Sequence, residues 1–222
     1  MTKNKVIDYI SPRFSANLFT NKNGVTYQEH AVDLSLEMRF MNASSLIFTT
    51  SQFSPKLFFP FHLDGLNRAF AVGNYSNSKF SLEYDSGKLK RFYWNSFIGF
   101  GGEFMGDRFD FQAEANYRIK HFFTGGLSFS QQNLINFPQD YGSAYFTLVG
   151  SKFEVSFNRN LFFTTFLQYN TQTNNFNINS RFNWRFRPMS DLYIVYTENY
   201  QADNITVKDR AFVMKINYWF NL

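Results

Sequence analysis

The sequence predicts an all-β fold: an antiparallel, up-and-down transmembrane β-barrel with about twelve strands visible. Three observations carry this. From Arg108 to Lys120, polar and apolar residues alternate without a break, and a two-residue period places the two kinds on opposite faces of a strand. No i, i+3, i+4 apolar stripe is sustained anywhere, and no apolar run reaches the ~18 residues of a membrane-spanning helix. Aromatic residues make up 21% of the 222-residue chain, with 31 Phe among them, yet the mean hydropathy is −0.33. Rings and ions must therefore be sorted by face.

Taken in order, residues 1–10 read as a periplasmic tail and 11–222 as the barrel. A weak alternation from Phe14 to Leu18 opens the strands. Val32, Leu34, Leu36, Met38 and Phe40 then alternate with Asp33, Ser35, Glu37 and Arg39. Shorter copies cover Leu46 to Phe48, Phe80 to Tyr84 and Phe92 to Phe104; Gly99, Gly101 and Gly102 in the last of these suit a bend or a close approach of backbones. After the 108–120 strand come Phe123 to Phe129, Phe153 to Phe157 and Leu161 to Tyr169. From Asn175 to Arg187, Phe176, Ile178, Phe182, Trp184 and Phe186 hold even positions and every odd position is Asn or Arg; only Ser180 breaks the pattern. Leu192 to Tyr196 and Phe212 to Phe220 complete the set.

Alternation also fits a soluble β-sandwich with the apolar face as its core. Composition favours the membrane. Apolar positions are mostly Phe, Tyr and Trp, whereas interlocked cores rely on Val, Ile and Leu. Polar positions mix both charge signs, as in Arg108, Asp110, Glu114 and Arg118, which suits a lumen where opposite charges pair across strands. Arg181, Arg185 and Arg187 form a second lumen-facing row; in an open barrel they favour anionic solutes, and otherwise they pair with neighbouring carboxylates. Connectors alternate short and long, with Met105 to Gly106 as the exception. The long ones, such as Ser54 to Ser76 and Leu134 to Ser143, are placed outside, and both chain ends in the periplasm. Trp94, Trp184, Tyr196, Tyr218 and Trp219 fall near strand ends and are expected in aromatic girdles.

Phe212, Met214, Ile216, Tyr218 and Phe220 share one face near the chain end, and such a terminal strand resembles the C-terminal signal read by the outer-membrane assembly machinery. Leu222 after the final aromatic is a small departure. In lipid this edge must later pair with the first strand, because unsatisfied backbone groups cost several kcal/mol each.

A family resemblance rests on Gln168, Tyr169 and Asn170, on Asn179 to Trp184, on Arg187-Pro-Met-Ser-Asp-Leu-Tyr-Ile-Val-Tyr196, and on Asn133 to Pro138. These resemble the C-terminal barrel of a large domain-of-unknown-function family common in Bacteroidota, over roughly Phe92 to Leu222. Met189 occupies a turn position where that family usually has Gly. There the barrel follows a signal peptide and a sandwich similar to a carbohydrate-binding module. The start, Met1 to Ile10, has no apolar stretch of signal-peptide length, so the expectation is a C-terminal part of a longer chain or a chain that begins after processing.

No chemistry of its own is legible. His30, His62 and His121 lie in or beside different connectors with no nucleophile and base at a motif spacing, so no catalytic residue is assigned. The sequence has no Cys, no metal-ligand motif and no phosphate-binding glycine loop, so no metal or cofactor is expected. The net charge of +5 is interleaved along strands instead of gathered into a patch, which excludes nucleic acid as a partner. One connector is too apolar for a solvated loop: Phe58, Phe59, Phe61 and His62 make it a candidate constriction folded into the mouth, a partner contact or an aromatic platform. The expected partners are outer-membrane lipid, the assembly machinery and other proteins of a membrane complex. The functional expectation is a pore or anchor in the bacterial outer membrane, against a scaffold of a larger complex or a soluble sandwich.

Overall fold

The computed structural model describes residues 6–20 and 27–220. Among the described residues fourteen strands are formed: β1 (Ile7–Thr20), β2 (Tyr27–Phe40), β3 (Ser45–Ser54), β4 (Lys56–Leu57), β5 (Gly73–Asn74), β6 (Asn77–Asp85), β7 (Phe92–Glu103), β8 (Gly106–Ile119), β9 (Phe123–Ile135), β10 (Ala144–Asn158), β11 (Leu161–Asn170), β12 (Asn175–Arg187), β13 (Ser190–Gln201) and β14 (Thr206–Asn217). No helix of the described residues is long and apolar enough to cross a membrane. Twelve strands form one sheet in chain order, β1-β2-β3-β6 through β14, while β4 and β5 pair as a separate two-stranded ladder. The architecture is all-β, antiparallel and up-and-down.

Contacts divide the chain into two compact units. One comprises Met1–Leu89, Trp94–Ala113 and Ser130–Phe146; the other comprises Lys90–Tyr93, Glu114–Phe129 and Thr147–Leu222. In the first, register lines up an apolar row, Pro12, Leu36, Phe48, Leu82 and Ile98, across β1, β2, β3, β6 and β7. The next row along, on the opposite face, is Arg13, Ser35, Thr49, Ser81 and Gly99. In the second unit, Val155, Phe163, Phe182, Ile194 and Met214 form an apolar row, and Gly150, Gln168, Asn177, Asn199 and Asp209 a polar one. Each row follows from alternation, because a register slip of one residue would send every side chain to the other face.

Three elements differ from the expectation. β1 starts at Ile7, inside the stretch read as a tail, because ladder hydrogen bonds to β2 continue past Pro12, whose missing N–H is tolerated on an outermost strand. β14 ends at Asn217, so Tyr218, Trp219 and Phe220 follow the strand instead of completing it. The connector from Ser54 to Ser76 is structured: β4 pairs with β5, and Phe61 bridges Phe70.

Candidate functional site

Burial is inverted relative to a soluble domain. Large apolar side chains on the apolar face of strands inside the sheet order are exposed, with Phe48 at 45% and Phe80 at 52%, whereas Glu37 at 8% and Asn116 at 9% are buried. A soluble sandwich would bury the first group and hydrate the second. Buried polar groups need partners. On the polar face of the first unit, Glu37 accepts from Tyr9 Oη at 2.9 Å and pairs with Arg13. Glu103 accepts from Lys79 Nζ at 2.6 Å and lies 3.8 Å from Arg108, which also holds Asp110 at 2.7 Å.

The same unit contains the buried hydrophobic cluster of the described residues: Leu66, Phe70, Leu134, Tyr141 and Ala144. Phe70 is fully buried. Its ring stacks on Phe104 at 4.5 Å and on Tyr141 at 5.2 Å. The Asn67 amide donates to the Tyr141 carbonyl at 2.9 Å, and Arg68 pairs with Asp140, whose hydrogen bond raises the Arg68 pKa. The cluster lies against the start of β8. Gly106 shares its parity along β8 with Arg108 and Asp110, and a Cβ on Gly106 would stand 2.6 Å from the Phe137 ring that packs against the cluster. Only glycine permits that approach. The long connector therefore folds over the short 104–106 turn, the one exception to the alternation of connector lengths.

Of the four expected loop residues, Phe61 joins the packed region by bridging the buried Phe70. Phe58 and Phe59 are exposed at 54% and 72%, and His62 is exposed; Phe61 is less so and lies 5.7 Å from Phe104. The side chains of this connector that pack in or against the cluster are Leu57, Leu63, Leu66, Phe70 and Tyr75. Leu66 and Phe70 are set apart from the apolar run by Asp64, Asn67 and Arg68, which hid these two from a reading by apolar run.

In the second unit the polar face is lined mostly by amides, hydroxyls and glycines. Asn179 Nδ2 donates to Thr197 Oγ1 at 2.8 Å, and Asn199 joins Asn177 to Asp209. Glu114 accepts from Asn116 Nδ2 at 2.9 Å, and Arg118 stands over the Tyr93 ring at 5.7 Å. Arg181 is exposed and Arg185 meets Asp191 at 3.3 Å. Arg187 donates to Tyr218 Oη at 2.7 Å, beside the Phe186 ring of the apolar face. Register therefore spreads the expected arginine row among different partners.

Among the expected girdle residues, Trp94 packs at 4.7 Å on Tyr84, and Trp184 joins Phe186, Tyr218 and Phe220. Trp219 is exposed, with its amide donating to the buried Ser190 Oγ at 3.0 Å. Tyr196 donates to Glu198, a carboxylate on the apolar face that Arg210 Nε also reaches at 2.8 Å. Parity did not anticipate that ion pair, because Glu198 and Arg210 occupy positions where rings and aliphatics stand on either side. Phe212, Met214 and Ile216 share one face of β14, all exposed. His30 lies 3.4 Å from Ser54 Oγ, and no group of three or more His, Cys, Asp or Glu suited to a metal ion occurs among the described residues.

No family model matches the sequence, and no curated protein matches it. Among solved structures, a "KdgM porin in complex with disordered oligogalacturonate" is similar, with a TM-score of 0.36 and 10% sequence identity, over 95% of this chain and 95% of that chain.

Proposed function

We propose that the chain is an integral outer-membrane β-barrel that passes small polar solutes or anchors a complex, with no chemistry of its own. Inverted burial carries the reading: apart from the Glu198–Arg210 pair, the ion pairs and amide ladders gather on one face while phenylalanines stand exposed on the other. Lipid is the solvent that makes both favourable, since apolar side chains dissolve in hydrocarbon and a polar lumen satisfies the charges. Arg108, Asp110, Glu114, Arg118, Arg181 and Arg185 then belong to the lumen wall. The Leu63–Phe70 segment narrows one mouth, and the aromatic residues near strand ends mark the interfaces.

The absence of Cys allows a clean test. Single cysteines placed at positions 108 to 119 of the reconstituted protein and exposed to a membrane-impermeant maleimide should label at every second position. Uniform labelling would sink the assignment. A scaffold role has one observation in its favour, the exposed Phe58–Phe59 tip, and co-purification of a partner that is lost in a Phe58→Ser, Phe59→Ser double variant would select it.

A further inference from the structure

On the polar face of the second unit lies a groove of about 270 Å³ lined by Glu114, Ser128, Gly150, Lys152, Phe166 and Gln168 among others. We propose that it is a subsite for a neutral sugar ring. The proposal rests on this face lining an aqueous lumen and names the solute class such a lumen would hold.

Phe166 is out of place. Register puts it between Lys152 and Asn179, in a row where alternation calls for a polar side chain. It belongs neither to the buried cluster nor to the apolar face, and it is 41% exposed. An aromatic ring part-exposed on a polar wall offers apolar surface to a solute beside the Lys152 ammonium that stands over it. The floor beside it is cut away. A Cβ on Gly150 would stand 2.5 Å from Ser128 Oγ, and one on Gly126 would collide with the Asn116 amide oxygen. Both glycines therefore let a polar side chain from the next strand lie flat, leaving a trough where a wall of side chains would otherwise stand.

The rim supplies both kinds of hydrogen-bonding group: the Gln168 amide, the Ser128 hydroxyl, the Glu114 carboxylate and the Lys152 ammonium. Lys152 Nζ is 5.3 Å from the Phe166 ring centroid and 2.6 Å from Glu154. Its charge is thus matched, and Glu114 adds a negative one. No spare cation remains for a carboxylated or phosphorylated ligand. A pyranose fits this chemistry, with a C–H face for the ring and hydroxyls at its edge for donors and acceptors. The volume is close to the ~300 Å³ lower end of small-molecule sites, which suits one ring at a time.

The test uses the full chain in a detergent without a sugar headgroup, with maltotriose, trigalacturonate and chitosan trimer as probes in saturation-transfer NMR. Maltotriose should bind in the millimolar range. Phe166→Ala should weaken it at least about tenfold, Phe166→Tyr should retain it, and Gly150→Ala, which fills the trough, should weaken it severalfold. Heat-modifiable gel mobility verifies that each variant is folded. No maltotriose binding, tighter binding of trigalacturonate or of the amino sugar, or equal binding by folded Phe166→Ala and the parent would each overturn the proposal. Conductance of the same preparation is scored separately: binding without conductance keeps the subsite and removes the channel, while conductance without binding removes the subsite alone.

Discussion

The polar faces of the two units obey the same alternation yet are filled differently. In the first, Tyr9, Arg13 and Glu37 form one charged set and Lys79, Glu103, Arg108 and Asp110 another, with the Phe70 cluster lying against the start of β8. In the second, asparagines bridge strands β12 and β13, glycines thin the wall, and Phe166 stands exposed beside a groove. Parity decides which face a residue takes; the identity of the residues on that face decides whether it is closed or receptive. A receptive face needs gaps, and gaps come from glycine and short side chains. A closed one needs groups that satisfy one another at short range.

The sharpest way to break this contrast is to empty the closed side. Phe70→Ala removes a fully buried ring held by Phe104 and Tyr141. Loss of a buried aromatic costs about 3–5 kcal/mol, more than a surface loop can hold against its chain entropy. The Leu63–Phe70 segment should detach, and single-channel conductance of the reconstituted protein should rise. An unchanged conductance with the variant folded would mean that the segment is no constriction. Protease accessibility at Leu63 to Arg68 offers an independent reading.

Much of this was legible in advance, and what was not has identifiable causes. Strand existence and face were readable because alternation is a property of neighbours in sequence: Val32 to Phe40 and Asn175 to Arg187 lie in strands with those parities. The Phe70 cluster was not, since it joins residues 63–70 to 104, 137 and 141, and no local pattern records contacts of that separation. The Glu198–Arg210 pair was hidden because each residue by itself only breaks a pattern, and only register, Glu198 opposite Arg210, turns two breaks into one satisfied pair. The groove was partly visible, since Phe166 is a ring at a polar position of β11, but its meaning depends on glycines of two other strands.

A second measurement compares the filling of the two faces directly. Glu103→Gln leaves Lys79 without its carboxylate and takes one of two from Arg108. With the Glu103 side chain only 12% exposed, stability in urea titration should fall by about 2–3 kcal/mol. Asn179→Ala in the second unit removes one neutral hydrogen bond to Thr197 and should cost about 1 kcal/mol. Equal losses would erase the distinction between a charged network and an amide ladder.

The smallest effect separates backbone strain from packing. Phe104 in the first unit and Met189 in the second both turn their hairpins with positive φ, 55° and 58°. A non-glycine residue there carries about 1–2 kcal/mol of steric cost. Phe104 offsets it by stacking on Phe70, whereas the Met189 side chain is 66% exposed and offsets little. Glycine should therefore act with opposite signs at the two turns. Phe104→Gly should destabilise by about 1–2 kcal/mol net, the lost stacking outweighing the relief, while Met189→Gly should stabilise by about 0.5–1 kcal/mol, the relief being partly cancelled by the greater chain entropy of unfolded glycine. Urea midpoints that move the same way in both variants would show that the ring at 104 contributes no more than the exposed methionine does.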